Sequence, residues 1–239
     1  MSASKKKNLL FIFADQWRAD AMGWAHADPV KTPNMDRFCA DATYCDHAFS
    51  TFPVCSPHRA SLLTGRYPLS LGFFTNCKTG LPLRLRDEEV SIAQTLGKEG
   101  YQTAYIGKWH LDEPEVNHDP APVSGARDWD AYTPPGPRRH GFDYWYSYGT
   151  YDKHLTPHYW QDSPQMICPG VWSVEHETDK AIEYLRQVRD PNRPFVMFLS
   201  WNPPHSYYDQ VPQRYLDLYP DVELKNNVDL DHIHHHTGE

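Results

Sequence analysis

The 239-residue chain contains no CxxC pair, no apolar run long enough to cross a membrane, and no basic stretch longer than Lys5–Lys7. Each absence excludes something. The five cysteines (Cys39, Cys45, Cys55, Cys77, Cys168) have no regular spacing. Their odd number leaves at least one thiol outside any intrachain pairing, which argues against a disulfide framework. The lack of a basic tract, with a formal charge of −8, argues against nucleic acid as the main partner. An anionic substrate is still compatible with this balance, because a local cationic pocket can sit on an acidic protein. What is present suffices for a sizeable core: 40% of residues are hydrophobic and 14% aromatic. The length suits one large domain or two small ones.

The opening "MSASKKKNLLFIFADQ" imitates a secretory leader, with three lysines before an apolar run. That run, Leu9–Phe13, is only five residues and an acidic residue follows almost at once; a secretory apolar region needs more. It reads as a buried strand, so the chain as written is cytoplasmic, or periplasmic or secreted if a leader was removed upstream. Localisation therefore stays open at this stage.

"NLLFIFAD" (8–15) has the continuous apolar character of a central parallel strand buried on both faces. "SPHRASLLTGRYP" reads as a helix that Ser56 caps, Pro57 opens and Gly65 ends. "EVSIAQTLGKEGY" (89–101) is a second helix, with Val90, Ile92, Ala93 and Leu96 apolar and a stop at Gly100. "QTAYIGKWH" (102–110) gives a short strand. Residues 112–172 are rich in Pro, Gly, Tyr, Trp and His with little periodicity, and are expected to form long ordered loops over a site. "SVEHETDKAIEYLRQVRD" returns to a helical pattern, with Ala181, Ile182, Leu185 and Val188 on one face. "RPFVMFLSWNPPH" (193–205) is another strand. No repeat of fixed period is visible, and residues 221–239 read as a flexible tail.

Helices between apolar strands predict an α/β fold with a mainly parallel central sheet flanked by helices. Such sheets bind ligands beyond the carboxyl ends of their strands. Here those ends carry Asp15-Gln16, Lys108-Trp109-His110, and Asn202 through His205. That coincidence is the best local argument for an enzyme.

Each candidate has a bland alternative. Asp15 is either a helix-capping carboxylate or a ligand for a hard cation, with Gln16 a neutral oxygen beside it. Lys108 and His110, two apart, would point to the same side of an extended segment; alone, such a pair is usually solvated surface. His205 follows a rigid Pro-Pro turn. The cluster His232, His234, His235 and His236 lacks the spacing of a helical zinc site and reads as part of the tail. Cys55 is the sharpest case. A helix N-terminus and Arg59 one turn on would favour a thiolate, yet a free cysteine is most often packed and inert. A nucleophilic thiolate with a histidine base is the second option.

Cys55-Ser56-Pro57-His58-Arg59, followed by "ASLLTGRYP", resembles the sulfatase signature C-x-P-x-R with a later T-G-R. "NLLFIFADQWRAD", "KTPNMDRF", "GYQTAYIGKWHL", "HGFDYW" and "RPFVMFLSWNPPH" resemble further blocks of the same family in the same order, so the likeness covers most of residues 8–220. It implies an alkaline-phosphatase-like α/β fold. It also implies that Cys55 is oxidised to Cα-formylglycine by a formylglycine-generating enzyme. A hydrated aldehyde offers two hydroxyls on one carbon: one attacks sulfur and displaces the alcohol, and deprotonating the other then expels sulfate.

By resemblance, Asp15 is a metal ligand and Gln16 a weaker one, at a position where many members have a second Asp. Arg59 holds the modified residue, Lys108 and His110 bind sulfate and orient the hydroxyl, and His205 faces the leaving oxygen. The cation would be Ca²⁺ or Mg²⁺. His58 occupies a position that is usually small. In the family a further metal-binding segment, an active-site lysine and a small C-terminal domain follow the histidine that His205 matches. None is present here, so the chain reads as a truncated N-terminal catalytic domain over 1–239 that by itself is expected to be weak or inactive. The expected reaction is hydrolysis of a carbohydrate or aryl sulfate monoester. The alternatives are a phosphonate or phosphodiester hydrolase on the same fold, and a non-catalytic binding remnant.

Overall fold

The computed structural model describes residues 6–45 and 47–222. In chain order its strands and α-helices are β1 (Leu9–Ala14), α1 (Pro33–Ala40), α2 (Cys55–Thr64), α3 (Ile92–Lys98), β2 (Gln102–Lys108), β3 (Tyr144–Tyr148), α4 (Ser173–Glu183), β4 (Phe195–Trp201) and α5 (Gln213–Leu216). A single π-helical turn over Tyr184–Val188 continues α4. The chain divides into two compact units, one formed by residues 1–16 and 49–212 and the other by residues 17–48 and 213–239.

The larger unit holds a four-stranded sheet in the order β1-β4-β2-β3, parallel throughout. Successive strand residues point to opposite faces, and β2 and β4 are apolar at both sets of positions. Tyr105, Val196 and Phe198 join a core with Ala60 and Leu63 of α2 and Ala93 of α3. Ala104, Ile106, Met197 and Leu199 join a second core on the other face with Ala181 of α4, Tyr159 and Trp160. Helices on both faces are what an all-parallel sheet needs, since neither face can be left to water.

Several local expectations need correcting. The N-cap of α2 is Val54, not Ser56. The Ser56 hydroxyl instead accepts the Cys77 amide at 3.0 Å, and its own amide donates to Asn76. Gly65 does end the helix in the left-handed conformation. The N-terminus of α3 is closed by a reciprocal Ser91–Gln94 capping box, which leaves Val90 outside the helix. The buried face of α4 runs through Ser173, Glu177 and Ala181 and on to Tyr184; Ile182 and Val188 are exposed. The i, i+4 positions won there even though they include a carboxylate.

Residues 112–172 are ordered loops but also contain β3, whose "YWYSY" pairs with β2. β1 is an edge strand among the described residues, with Leu10 and Ile12 44% and 48% exposed. Its second apolar face has no described partner. The expected flexible tail, with His232, His234, His235 and His236, lies outside the described residues apart from its first two positions.

In the smaller unit, the Asp36 carboxylate of α1 accepts the Thr32 hydroxyl at 2.7 Å and the Trp24 amide at 3.2 Å. The same threonine oxygen accepts the Gly23 amide. A Cβ at Gly23 would meet the Asp36 carboxylate at 2.6 Å, so the turn needs glycine there.

Candidate active site

All four strands end on the same side of the sheet; the segments after β2, β3 and β4 line one cavity of about 340 Å³, and Asp15 after β1 contacts Cys55 and Lys108 of its wall. Asp15 follows β1, held by its amide on the Trp201 carbonyl of β4. Cys55 is the first residue of α2. Lys108 is the last residue of β2, and Asn202 follows β4.

Asp15 is the hub. Its Oδ2 lies 2.7 Å from Lys108 Nζ and 3.1 Å from Arg59 Nη2, and its Oδ1 accepts from Cys55 Sγ at 3.5 Å. Burial works to raise this carboxyl, but the Lys108 ammonium and Arg59 guanidinium hold it well below the usual carboxylate range. Arg59 is buried one turn into α2 and also donates to the Lys108 carbonyl at 2.7 Å and Ser200 Oγ at 2.8 Å. Its guanidinium stacks over the Phe13 ring. One side chain thus links α2, β1, β2 and β4. Lys108, fully buried, donates to Asn202 Oδ1 at 3.0 Å and approaches Cys55 Sγ at 3.9 Å.

His110 reaches the same cavity, though not by the extended path expected. Its backbone turns left-handed (φ 52°) and its amide donates to the Gly149 carbonyl. Its Nε2 lies 2.9 Å from the Cys77 carbonyl, which can only accept, so Nε2 carries the hydrogen and Nδ1 is a lone pair. That Nδ1 is buried without a partner. Burial, with the Lys108 charge adding to it, brings the imidazole down to about 3, so it is neutral.

His205 behaves oppositely. Its Nδ1 pairs with Asp152 Oδ1 at 3.2 Å, and hydrogen bonds to Asp152 and Cys55 raise it to about 10. Although burial pushes Asp152 up, His205 and Asn202 keep it below its ordinary value and ionised. With Lys153 and Asp128, which also line the cavity, four cations (Arg59, Lys108, Lys153, His205) face three carboxylates (Asp15, Asp128, Asp152), leaving one positive charge for an anion.

Asp15, Cys55 and His205 place ligand atoms within 4.8 Å of one another. Gln16, the neutral neighbour of Asp15, has a left-handed backbone and an exposed side chain whose Nε2 donates to the Tyr208 hydroxyl at 3.2 Å. A hard cation takes about six to eight oxygen ligands. The described residues bring one carboxylate, already bonded to two cations, so they do not by themselves form a cage for Ca²⁺ or Mg²⁺.

The sulfatase family model matches residues 7–234. The chain belongs to the sulfatase family. It is 40% identical over 250 residues to an endo-4-O-sulfatase of Bacteroides thetaiotaomicron, covering 93% of this chain and 49% of that protein. It is also 40% identical over 226 residues to an ulvan-active sulfatase of Formosa agariphila, covering 94% and 40%. A solved Bacteroides thetaiotaomicron structure, described under the metabolism of multiple glycosaminoglycans, superposes with a TM-score of 0.84 at 40% identity over 91% of this chain and 49% of its own. The parallel sheet with flanking helices is thus the alkaline-phosphatase-like sulfatase fold. The chain spans about half the length of the curated relatives it matches.

Asp152, Asp128 and Trp129 share this sulfatase cavity with Cys55 and Lys108. Trp129 opens the aromatic-rich stretch 129–160, whose composition points to sugar stacking; the two carboxylates carry no such sequence reading. For Asp152 a signal exists, a polar residue just beyond an aromatic run as at the other strand ends, but the surrounding prolines and glycines mask the strand that precedes it. No helix among the described residues is long and apolar enough to cross a membrane.

Proposed function

We propose that this chain carries the N-terminal part of a catalytic domain that hydrolyses sulfate monoesters of carbohydrates, with residue 55 as the nucleophile. The observation that carries the reading is the position of Cys55. It sits at the mouth of a cavity with a net positive charge, 3.5 Å from Asp15 and 3.9 Å from the Lys108 ammonium. The names of the relatives, an endo-4-O-sulfatase and an ulvan-active sulfatase, support sulfated glycans as the substrate class.

The residue types fit a formylglycine at position 55: the side chain is partly accessible and surrounded by hydrogen-bonding groups rather than packed in apolar core. Formylglycine would supply, as its hydrate, a nucleophilic hydroxyl and a second hydroxyl for releasing the sulfate. A formylglycine-generating enzyme is then an obligatory partner.

The chain's own side chains divide the remaining work. Lys108 binds the non-bridging sulfate oxygens; it is buried and anchored by Asp15 and Asn202, so it costs no reorganisation at the moment of reaction. Arg59, fixed at several points, keeps residue 55 and Asp15 in register. The free lone pair on His110 Nδ1 accepts a hydrogen bond from a hydroxyl at residue 55 and orients it. His205, held cationic by Asp152, donates a proton to the leaving oxygen. Asp15 would contribute one carboxylate to a Ca²⁺ or Mg²⁺ ion whose other ligands the described residues do not bring, and no step here depends on that ion. The single positive surplus suits a sulfate monoester, which carries one charge.

Two measurements test the reading. A tryptic peptide spanning Cys55 from the native host is expected to be lighter than the thiol form by about 18 Da. A version extended to the length of the relatives is expected to release sulfate from a sulfated sugar faster than phosphonate from an aryl phosphonate ester. An unaltered thiol in active protein, or the reverse substrate order, overturns it.

A further inference from the structure

The sulfate-binding groups occupy only part of the cavity, and the rest of its wall has a definite construction. Asp130 is fully buried. Its Oδ1 accepts the amides of Ala131, Gly149 and Thr150 at 2.9, 2.7 and 3.1 Å, and its Oδ2 lies 2.6 Å from His158 Nε2. One carboxylate therefore fastens the 128–131 segment to the loop that follows β3. Gly149 is needed for this closeness, because a Cβ there would stand 2.8 Å from both the Ala131 amide nitrogen and Asp130 Oδ1.

Two residues earlier, Asp128 is held in the left-handed region (φ 56°), with its carbonyl accepting the Thr79 hydroxyl at 2.5 Å. A non-glycine residue in that conformation carries a conformational cost that persists only where its surroundings enforce it. Between these two fixed points stands Trp129. It is 41% exposed, lines the cavity, and its ring centre lies 6.4 Å from that of His110. Tyr151 and the largely exposed Tyr207 line the same cavity.

An indole left in water on a braced loop, with a carboxylate beside it, is poorly explained by packing and well suited to a pyranose. The C–H face of a sugar ring stacks on an aromatic plane, and its hydroxyls donate to a carboxylate. We propose that Asp128 and Trp129 form the sugar-reading wall of this site: Trp129 stacks on the pyranose that bears the sulfate, Asp128 accepts one of its hydroxyls, and Asp130 is the positioning residue that holds both. This rests on the sulfate-ester reading and adds to it the residues that select the alcohol.

The test is calorimetric titration in a Cys55→Ala background, which prevents turnover, with inorganic sulfate and galactose 4-sulfate as separate probes. Trp129→Ala is expected to weaken galactose 4-sulfate about tenfold while leaving inorganic sulfate unchanged, and Trp129→Phe to recover most of the loss. Asp128→Asn, which tolerates the left-handed backbone, is expected to weaken only the sugar, by about fivefold. Unfolding temperatures measured alongside are expected to be unaltered, since both residues are exposed. Equal effects on the two probes, or none on either, overturn the wall. If the parent binds sulfate but gains nothing from the sugar, this inference fails and the sulfate-ester reading stands. If it binds neither probe, both fail.

Discussion

The Tyr159 hydroxyl donates to Glu177 Oε1 at 2.9 Å, while Oε2 of the same fully buried carboxyl has no partner among the described residues. Burial raises Glu177 to about 8 from an ordinary 4.5. The unfolded chain releases this proton near pH 4.5 and the folded chain holds it until about pH 8. Over that window the folded state binds more protons, so stability falls as pH rises and levels off above it. Glu177→Gln is expected to flatten this slope and to gain on the parent by roughly 4 kcal/mol in going from pH 4.5 to pH 8. Urea unfolding of both proteins at the two pH values checks this; parallel slopes would show Glu177 to be ionised in the fold.

Gly107 sits at the junction of β2 and β4 with φ 98°, and a Cβ there would lie 2.1 Å from the Ser200 carbonyl oxygen. Gly107→Ala is expected to destabilise the larger unit by more than about 3 kcal/mol, because both the backbone conformation and the sheet contact oppose it. The urea midpoint measures this. A change below about 1 kcal/mol would mean that the two strands can part at no great cost.

Cys55→Ala removes a half-exposed group whose sulfur contacts are long. In a version extended to the length of the relatives, turnover of a sulfated sugar is expected to vanish while the melting temperature moves by no more than a few degrees. Appreciable residual turnover would place the nucleophile elsewhere.

Lys108→Ala takes away a buried ammonium and leaves Asp15 with Arg59 as its remaining close cation. In the same extended version, kcat/KM for a sulfated sugar is expected to fall at least about a hundredfold, with kcat as well as KM affected, as for a lost stabiliser of transition-state charge. Initial rates across a substrate series separate the two parameters, and unchanged kinetics would remove Lys108 from the site.

What could be read in advance depended on whether a local pattern had one physical explanation. β4 and β2 were legible because continuous apolar runs ending in polar residues fit little else, and the strand-end rule brought Lys108, His110 and His205 to one cavity with Asp15 against Lys108. The C-x-P-x-R spacing drew attention to Cys55 and Arg59, and both face Asp15. β3 was missed because "YWYSY" lies among prolines, glycines and histidines whose loop signal outweighed it. The inner face of α4 was misjudged because hydrophobicity was followed, whereas Glu177 occupies the buried turn. The left-handed backbone of Gln16 and its contact with Tyr208 are tertiary facts that no spacing encodes.

Among the described residues the outer side of β1 has no strand partner, and Leu10 and Ile12 on it are half exposed. Such a margin invites any extended segment to add itself as a further strand. Purified alone at high concentration, this polypeptide should therefore tend to self-associate along that margin, and a lysine at position 10 or 12 should keep it dispersed.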